Sequence, residues 1–324
     1  MPSALQCRGD CVESVHPWSA VAVDGGAGEV VWSTGSDPIT TWRSSLKPLQ
    51  LACALEVLDD PPIEDELLAV GAASHSAEAT HVTIVERILA RFELTERDLR
   101  CGAHAPMSAA AAGELLRTGR APTQLHNNCS GKHAFMAAAT RRAGWPADYR
   151  PAAHPLQARV LARTERASQA AAPFAIDGCG VPTPFQPLSA IARAWASIAA
   201  AMRASDGDAR PSPDEARLGR IGWAMARRPD LTSGSDRFDR ELVRLAREPM
   251  AVKIGAMGLF CLALPARGLG IAVKVESGNA DALAVAVPEC LAAAAPGAWE
   301  APPGWPLREV RNVVGDPVGA WRAV

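Results

Sequence analysis

Ser44 and Lys47 stand three residues apart at the head of an apolar stretch, in Trp42-Arg43-Ser44-Ser45-Leu46-Lys47-Pro48. On a helix that spacing puts both side chains on one face. A lysine that has lost its proton can take one from a serine hydroxyl and make the serine a nucleophile. The positive end of a helix favours the neutral amine and steadies an oxyanion formed beside it. The same spacing also fits a helix-capping serine followed by a solvated lysine, so the pair needs support from the rest of the chain.

That support begins with the scarcity of lysine. Of 33 basic residues, only Lys47, Lys132, Lys253 and Lys274 are lysine. Arginine stays protonated in proteins, whereas a lysine amine gives up its proton when buried or set beside another cation. A chain that writes arginine almost everywhere thereby marks its remaining lysines as places where a deprotonable amine is needed. Lys253 opens Lys253-Ile254-Gly255 at the start of an expected late strand, with the glycine allowing close approach of a substrate backbone; a plain strand-edge charge is the alternative. Ser74-His75-Ser76, after the apolar run Leu68 to Ala73, can supply a second hydroxyl. A Ser-x-x-Lys behind an N-terminal hairpin and a Lys-x-Gly on a late strand is the layout of serine β-lactamases and penicillin-binding proteins, although their Ser-Asp-Asn is missing.

A second cluster is His126-Asn127-Asn128-Cys129-Ser130-Gly131-Lys132-His133, set before the apolar Ala134-Phe135-Met136-Ala137. Cys129 and Lys132 share a helical face. Some fifty residues on, Ile176-Asp177-Gly178-Cys179-Gly180-Val181-Pro182 places another Asp and Cys in a Gly/Pro-rich loop. Two Cys with Asp or His nearby can hold zinc. A nucleophilic Cys129 at a helix start, where a thiol pKa falls, fits the spacing too, as do inert loop thiols. Cys7 and Cys11 lack a nearby His and read as structural or incidental. His16, His104 and His154 stand near prolines in loops and receive no role.

The elements that must position these groups follow from patterning. Residues 18 to 33 read as a hairpin turning at Asp24-Gly25-Gly26-Ala27-Gly28, and residues 257 to 264 and 270 to 276 as a second one. Helices are expected from Ser44 to Leu58 and near 63–70, 80–91, 108–118, 131–143, 153–171, 187–204, 213–227 and 235–246. Residues 204–213 read as a surface loop. The fold class is therefore α+β: one antiparallel sheet from both chain ends (about 1–42 and 250–324) and a mostly helical middle (about 43–249), in a single domain spanning 1–324. The net charge of -2 argues against nucleic acid as a partner. No leader-like apolar segment and no apolar run of the roughly 18–20 residues needed to cross a bilayer is present, so a cytoplasmic protein with reduced thiols is expected.

Taken together, the four motifs around Ser44-Lys47, Ser74-His75-Ser76, His126 to His133 and Asp177 to Pro182 resemble those of the rhizobial-type, thermolabile L-asparaginase II family. The resemblance runs to the tail segments Asn312-Val313-Val314-Gly315 and Val318-Gly319. It implies a β-lactamase-like fold, a homodimer, and hydrolysis of L-asparagine to L-aspartate and ammonia. It also implies two Ser-Lys tandems, Ser44 with Lys47 and Ser76 with Lys253, and one zinc ion per chain held by Cys129, Lys132 and Cys179. Substrate contacts are expected from Arg43 to the α-carboxylate, and from His133, Asp177 and Asn127. A glutaminase or another serine amidase would use the same tandem with a longer pocket. A zinc-stabilised amino-acid sensor would bind asparagine without releasing ammonia.

Overall fold

The computed structural model of the protein describes residues 1–58, 61–207, 210–302 and 309–324. Strands β1 (Ser3–Arg8), β2 (Cys11–Asp24) and β3 (Val30–Thr34) open the chain. Three short strands follow, β4 (Ile39–Thr41), β5 (Phe174–Ile176) and β6 (Pro182–Pro187). The chain closes with β7 (Ala251–Ile254), β8 (Leu259–Leu264), β9 (Leu269–Val275), β10 (Glu309–Arg311) and β11 (Pro317–Ala323). The main sheet is antiparallel in the order β10-β11-β1-β2-β9-β8-β7, and β3 continues the β1 edge of β2. Both chain ends thus build one sheet, as the hydropathy pattern predicts.

Between them run α1 (Lys47–Leu58), α2 (Asp65–Gly71), α3 (Ala79–Arg91), α4 (Ala109–Arg117), α5 (Ser130–Arg142), α6 (Pro155–Ser168), α7 (Leu188–Asp206), α8 (Pro213–Arg227), α9 (Pro229–Thr232) and α10 (Phe238–Arg244). A last helix, α11 (Leu283–Ala294), lies between β9 and β10. The expected helix over 235–246 shrinks to α10, and helix α7 runs into the expected 204–213 loop, part of which lies outside the described residues. Strand β1 and helix α11 escape the sequence patterns. An internal Pro288 disguises α11, which is buried along most of its length against the sheet.

Strand alternation gives the sheet a core on each face. In β2, Val21 and Val23 join the cluster with the helical middle, while Trp18, Ala20 and Ala22 join the one containing α11. In β7, Ala251 faces the helices and Val252 the other side, so Lys253 points to the helical face. Helix α1 is buried from Lys47 to Leu55 and α5 from Ser130 to Thr140. Helices without a polar face belong inside a fold, which is how Lys47 and Lys132 come to lie in the interior. Helix α5 sits close to α2 because Gly131 has no side chain: a Cβ there would lie 2.3 Å from the Val70 carbonyl oxygen.

The short strands form a second sheet, β4-β6-β5, that ties the entry to α1 to the Asp177–Val181 loop. Cys7 is buried and Cys11 exposed on the β1–β2 hairpin, and every cysteine is free. Among the described residues no helix is long and apolar enough to cross a membrane.

Candidate active site

Three segments meet at the helical face of β7. Lys47, Lys253 and Ser74 are all buried there. Lys47 Nζ lies 2.9 Å from Ser74 Oγ, and Lys253 Nζ lies 2.8 Å from the same oxygen. Lys47 Nζ also donates to the carbonyls of Ala73 (2.5 Å) and Asn128 (3.2 Å), and Lys253 Nζ to that of Ile254 (3.0 Å). Carbonyls only accept. A neutral Lys47 therefore gives its two protons to Ala73 and Asn128 and turns its lone pair to the Ser74 hydroxyl, while a charged Lys253 donates to the Ser74 oxygen.

The electrostatics favour that sharing of one charge. Burial, reinforced by the charge of Lys47, pulls the Lys253 amine down to about 7. Burial also lowers Lys47, with Cys129 opposing and Lys132 adding to the effect. Two ammonium groups on one hydroxyl in a dry interior repel, so the pair gives up a proton that either lysine alone in water would keep.

Ser44 enters differently from the sequence expectation. A 3-10 turn spans Arg43–Leu46, and the α-helix starts at Lys47. Ser44 is half-buried, and among the described residues its hydroxyl has no hydrogen-bond partner. Its neighbour Ser45 is buried and donates to the Lys253 carbonyl at 3.4 Å. Gly255 makes room for protein rather than for a substrate backbone, since a Cβ there would meet Ser45 Oγ at 3.0 Å.

The structure brings Ser74, not Ser76, to Lys253. The N–H groups of Ser74 and Ser76 pair with the carbonyls of Thr232 and Ser233, partners only one residue apart, so the ladder is irregular. Ser76 Oγ is buried without a partner among the described residues, against Gly234. Nothing in Ser74-His75-Ser76 alone tells the two serines apart. His75 fixes the segment: its Nδ1 accepts from Ala77 N–H (3.2 Å), so Nε2 donates to Ser130 Oγ (2.9 Å) at the start of α5. Ser74→Ala is expected to lower kcat/KM by about a hundredfold to a thousandfold, and Ser76→Ala by only a few-fold, in parallel steady-state assays. The opposite ranking would return the relay to Ser76.

The thiol cluster adjoins the lysines. Cys179 hydrogen-bonds to Cys129, Lys132 Nζ lies 3.1 Å from Cys179 Sγ, and all three residues are buried. The Cys179 hydrogen bond, with the charges of Lys47 and Lys132, outweighs burial and drives Cys129 well below the usual thiol range. The same shared bond, with burial, pushes Cys179 up. Burial pulls Lys132 down, but the Cys179–Cys129 pair that shares its hydrogen bond raises it overall. Among the described residues no group of three or more His, Cys, Asp or Glu side chains gathers around one point. A cation here must therefore count the Lys132 amine as its third protein donor. Two sulfurs and one nitrogen suit zinc, and binding would displace the protons the three groups now share. The residue types and their convergence fit such an ion.

Arg43 adopts left-handed backbone with φ of +43°, uncommon for a residue with a side chain. Its N–H is held by Thr183 Oγ1 (3.0 Å), and its Nε lies 2.6 Å from Asp177 Oδ1. The pair is partly open, with side-chain exposures of 32% and 12%. A cation and an anion side by side match the carboxylate and ammonium of a free amino acid. His133 is fully buried, with Nδ1 at 3.0 Å from Tyr149 Oη and Nε2 without a partner among the described residues. Burial, then Lys132, keeps it neutral.

Asn127 is buried in the loop before α5. Its amide donates to the carbonyls of Cys101 and Gly102, each at 3.0 Å, and its oxygen accepts from Cys129 N–H at 2.8 Å. Its two amide protons and its oxygen are used in shaping the loop, whereas the sequence suggests a substrate contact. His104, given no role from sequence, accepts from Asn128 N–H at 3.0 Å and so steadies the carbonyl that receives Lys47. Its sequence distance from the motif hides that part.

The model of the L-asparaginase II family matches residues 4–323 of the chain. Among solved structures, the chain is similar to native Mglu in 4.3 M NaCl, with 15% identity, a TM-score of 0.47, and coverage of 86% of this chain and 60% of Mglu. It is also similar to a β-lactamase from Mycobacterium bovis, with 13% identity, a TM-score of 0.44, and coverage of 86% and 94% of the two chains. The chain thus spans less than two thirds of the length of Mglu. Comparison with curated proteins finds no match.

Proposed function

The chain belongs to the L-asparaginase II family, and we propose that it is an amidohydrolase that converts L-asparagine to L-aspartate and ammonia through an aspartyl ester on Ser44. The observation that carries this reading is the Lys47–Ser74–Lys253 arrangement, two buried amines on one hydroxyl, with Ser44 in the turn that leads into Lys47. Ser44 is assigned as the nucleophile because it is only half-buried and its hydroxyl has no partner among the described residues, whereas Ser74 is buried between the lysines.

The steps balance as follows. Ser44 Oγ attacks the side-chain amide carbonyl while its proton passes to Ser74 Oγ and the Ser74 proton to the Lys47 lone pair. Backbone N–H groups at the helix start take the oxyanion. Lys47 returns a proton through Ser74 to the amide nitrogen, the C–N bond breaks, and ammonia leaves. Water then attacks the ester, with the same relay taking its proton and restoring Ser44. Lys253 keeps its charge, donates to the Ser74 oxygen and so points the Ser74 proton toward Lys47. Arg43 takes the substrate carboxylate, and Asp177 with His133 the ammonium end.

Cys129, Lys132 and Cys179 would hold zinc. The ion would supply Lewis-acid binding and orientation of the polar end of the substrate. An activated serine leaves it no need to make hydroxide. Cys129→Ser should lose zinc by elemental analysis and raise KM for asparagine about tenfold or more. Full activity of the metal-free variant would remove zinc from the reaction. The reading includes a homodimer in the cytoplasm.

Ammonia release from L-asparagine and L-glutamine at equal concentration tests the substrate. A kcat/KM for asparagine at least about tenfold higher is expected, because one methylene is worth roughly 1–3 kcal/mol in a fitted pocket. A preference for glutamine keeps the relay and transfers the specificity. Tight asparagine binding with no ammonia would make the chain a sensor.

A further inference from the structure

Asp239 is a carboxylate without a complete set of partners, set behind the lysine pair. It lies on α10, which packs on β7, and is only 2% exposed. Ser233 Oγ–H donates to its Oδ1 at 2.6 Å, while Oδ2 has no partner among the described residues. Arg237 Nε stands 3.9 Å from Oδ1, too far for a hydrogen bond. An ionised carboxylate is held in a dry site only where a cation compensates for lost water.

The surroundings supply two links to the relay. The Ser233 carbonyl accepts from Ser76 N–H at 2.9 Å, and the adjoining Thr232 carbonyl accepts from Ser74 N–H at 3.1 Å. Gly234 clamps the same segment, since a Cβ there would lie 2.1 Å from Ser76 Oγ. The second link is charge. The groups acting on the Lys253 amine are Lys47 across Ser74, Cys129 at the head of α5, and Asp239 and Arg237 at the start of α10. Cys261 stands opposite Lys253 on β8. Asp239 is the carboxylate of that set.

We propose that Asp239 is a positioning residue for the relay: through Ser233 it anchors the segment carrying Ser74, and its charge holds Lys253 as the ammonium that orients the Ser74 hydroxyl. This rests on the relay proposed above. Asp239 touches no substrate atom, and its effect travels through Lys253 and Ser233.

The four lysines of the chain make a direct test possible. Protein labelled with ¹³C and ¹⁵N in lysine gives four sets of signals to follow by NMR against pH, with Lys253→Arg identifying the Lys253 set. In Asp239→Asn, which keeps the shape and the acceptor for Ser233, the Lys253 midpoint should fall by about one pH unit, a tenfold weaker hold on the proton. The basic limb of kcat/KM should move the same way, and Asp239→Glu should restore part of both. An unmoved Lys253 midpoint in a folded Asp239→Asn protein would overturn the inference, whatever its melting temperature. Should that variant not fold, Ser233→Ala keeps the charge and removes the anchor. Its Lys253 midpoint should be unmoved or raised and its kcat reduced at unchanged KM, and a lowered midpoint would overturn the proposal. The NMR titration needs no turnover, so absence of amidase activity would sink the reaction and still leave the Asp239–Lys253 link to be read.

Discussion

Ser44→Ala should lower kcat for L-asparagine by about ten-thousandfold or more, the scale set by removing the nucleophile of a serine hydrolase. The fold should hardly notice. Ser44 is half-buried in the turn before α1, and its hydroxyl has no hydrogen-bond partner among the described residues. Losing it opens no core cavity and orphans no buried group, so stability should stay within about 0.5 kcal/mol of wild type by thermal unfolding. Binding should survive as well, because the Arg43–Asp177 pair and the thiol cluster are untouched. Calorimetry with asparagine should therefore give an affinity within a few-fold of wild type. A variant that still turns over at a tenth of the wild-type rate would exclude Ser44 as the nucleophile.

Lys47→Arg should cost about a thousandfold to ten-thousandfold in kcat/KM, even though it keeps nitrogen donors at the site. A guanidinium stays protonated in proteins and cannot take the Ser44 proton. The substitution also forces a wider head group into a site lined by the carbonyls of Ala73 and Asn128 and by Ser74. Lys47→Met separates the two effects: it fits the space, cannot act as a base, and leaves two buried carbonyls short of a donor at about 1–3 kcal/mol each. Loss of activity in both variants with a larger loss of stability in one is the expected pattern. The pH dependence has a definite sign. The relay works with Lys47 neutral and Lys253 charged, so kcat/KM should climb with pH as Lys47 loses its proton and fall again above about 7, where Lys253 releases its own. A profile flat from about pH 5 to pH 8 would contradict a shared-proton pair.

Much of this site is legible in the chain before any fold is known, and the reasons are chemical. A chain with four lysines among 33 basic residues draws attention to each amine, and Lys47, Lys132 and Lys253 all prove to be buried. Cys129, Lys132 and Cys179, linked in the sequence by motif alone, come together in space. The two-ended sheet follows from apolar alternation at both termini.

What escapes reading is set by non-local geometry. Ser74 and Ser76 differ only through an irregular ladder with residues 232 and 233, some 160 positions away. Asn127 sits in the most specific motif and yet serves the loop around Cys129. Asp239 lies in an ordinary mixed-charge stretch, Phe238-Asp239-Arg240-Glu241. Its burial comes from the packing of α10 on β7, which no local pattern encodes.

Acid-quenching the enzyme during turnover of L-asparagine and mapping its peptides by mass spectrometry would test Ser44 chemistry most directly. An aspartyl ester on the peptide carrying Ser44, absent from Ser44→Ala and lost on incubation with hydroxylamine, is the predicted result. An ester on Ser74 or a thioester on Cys129, with the Ser44 peptide unmodified, would contradict it.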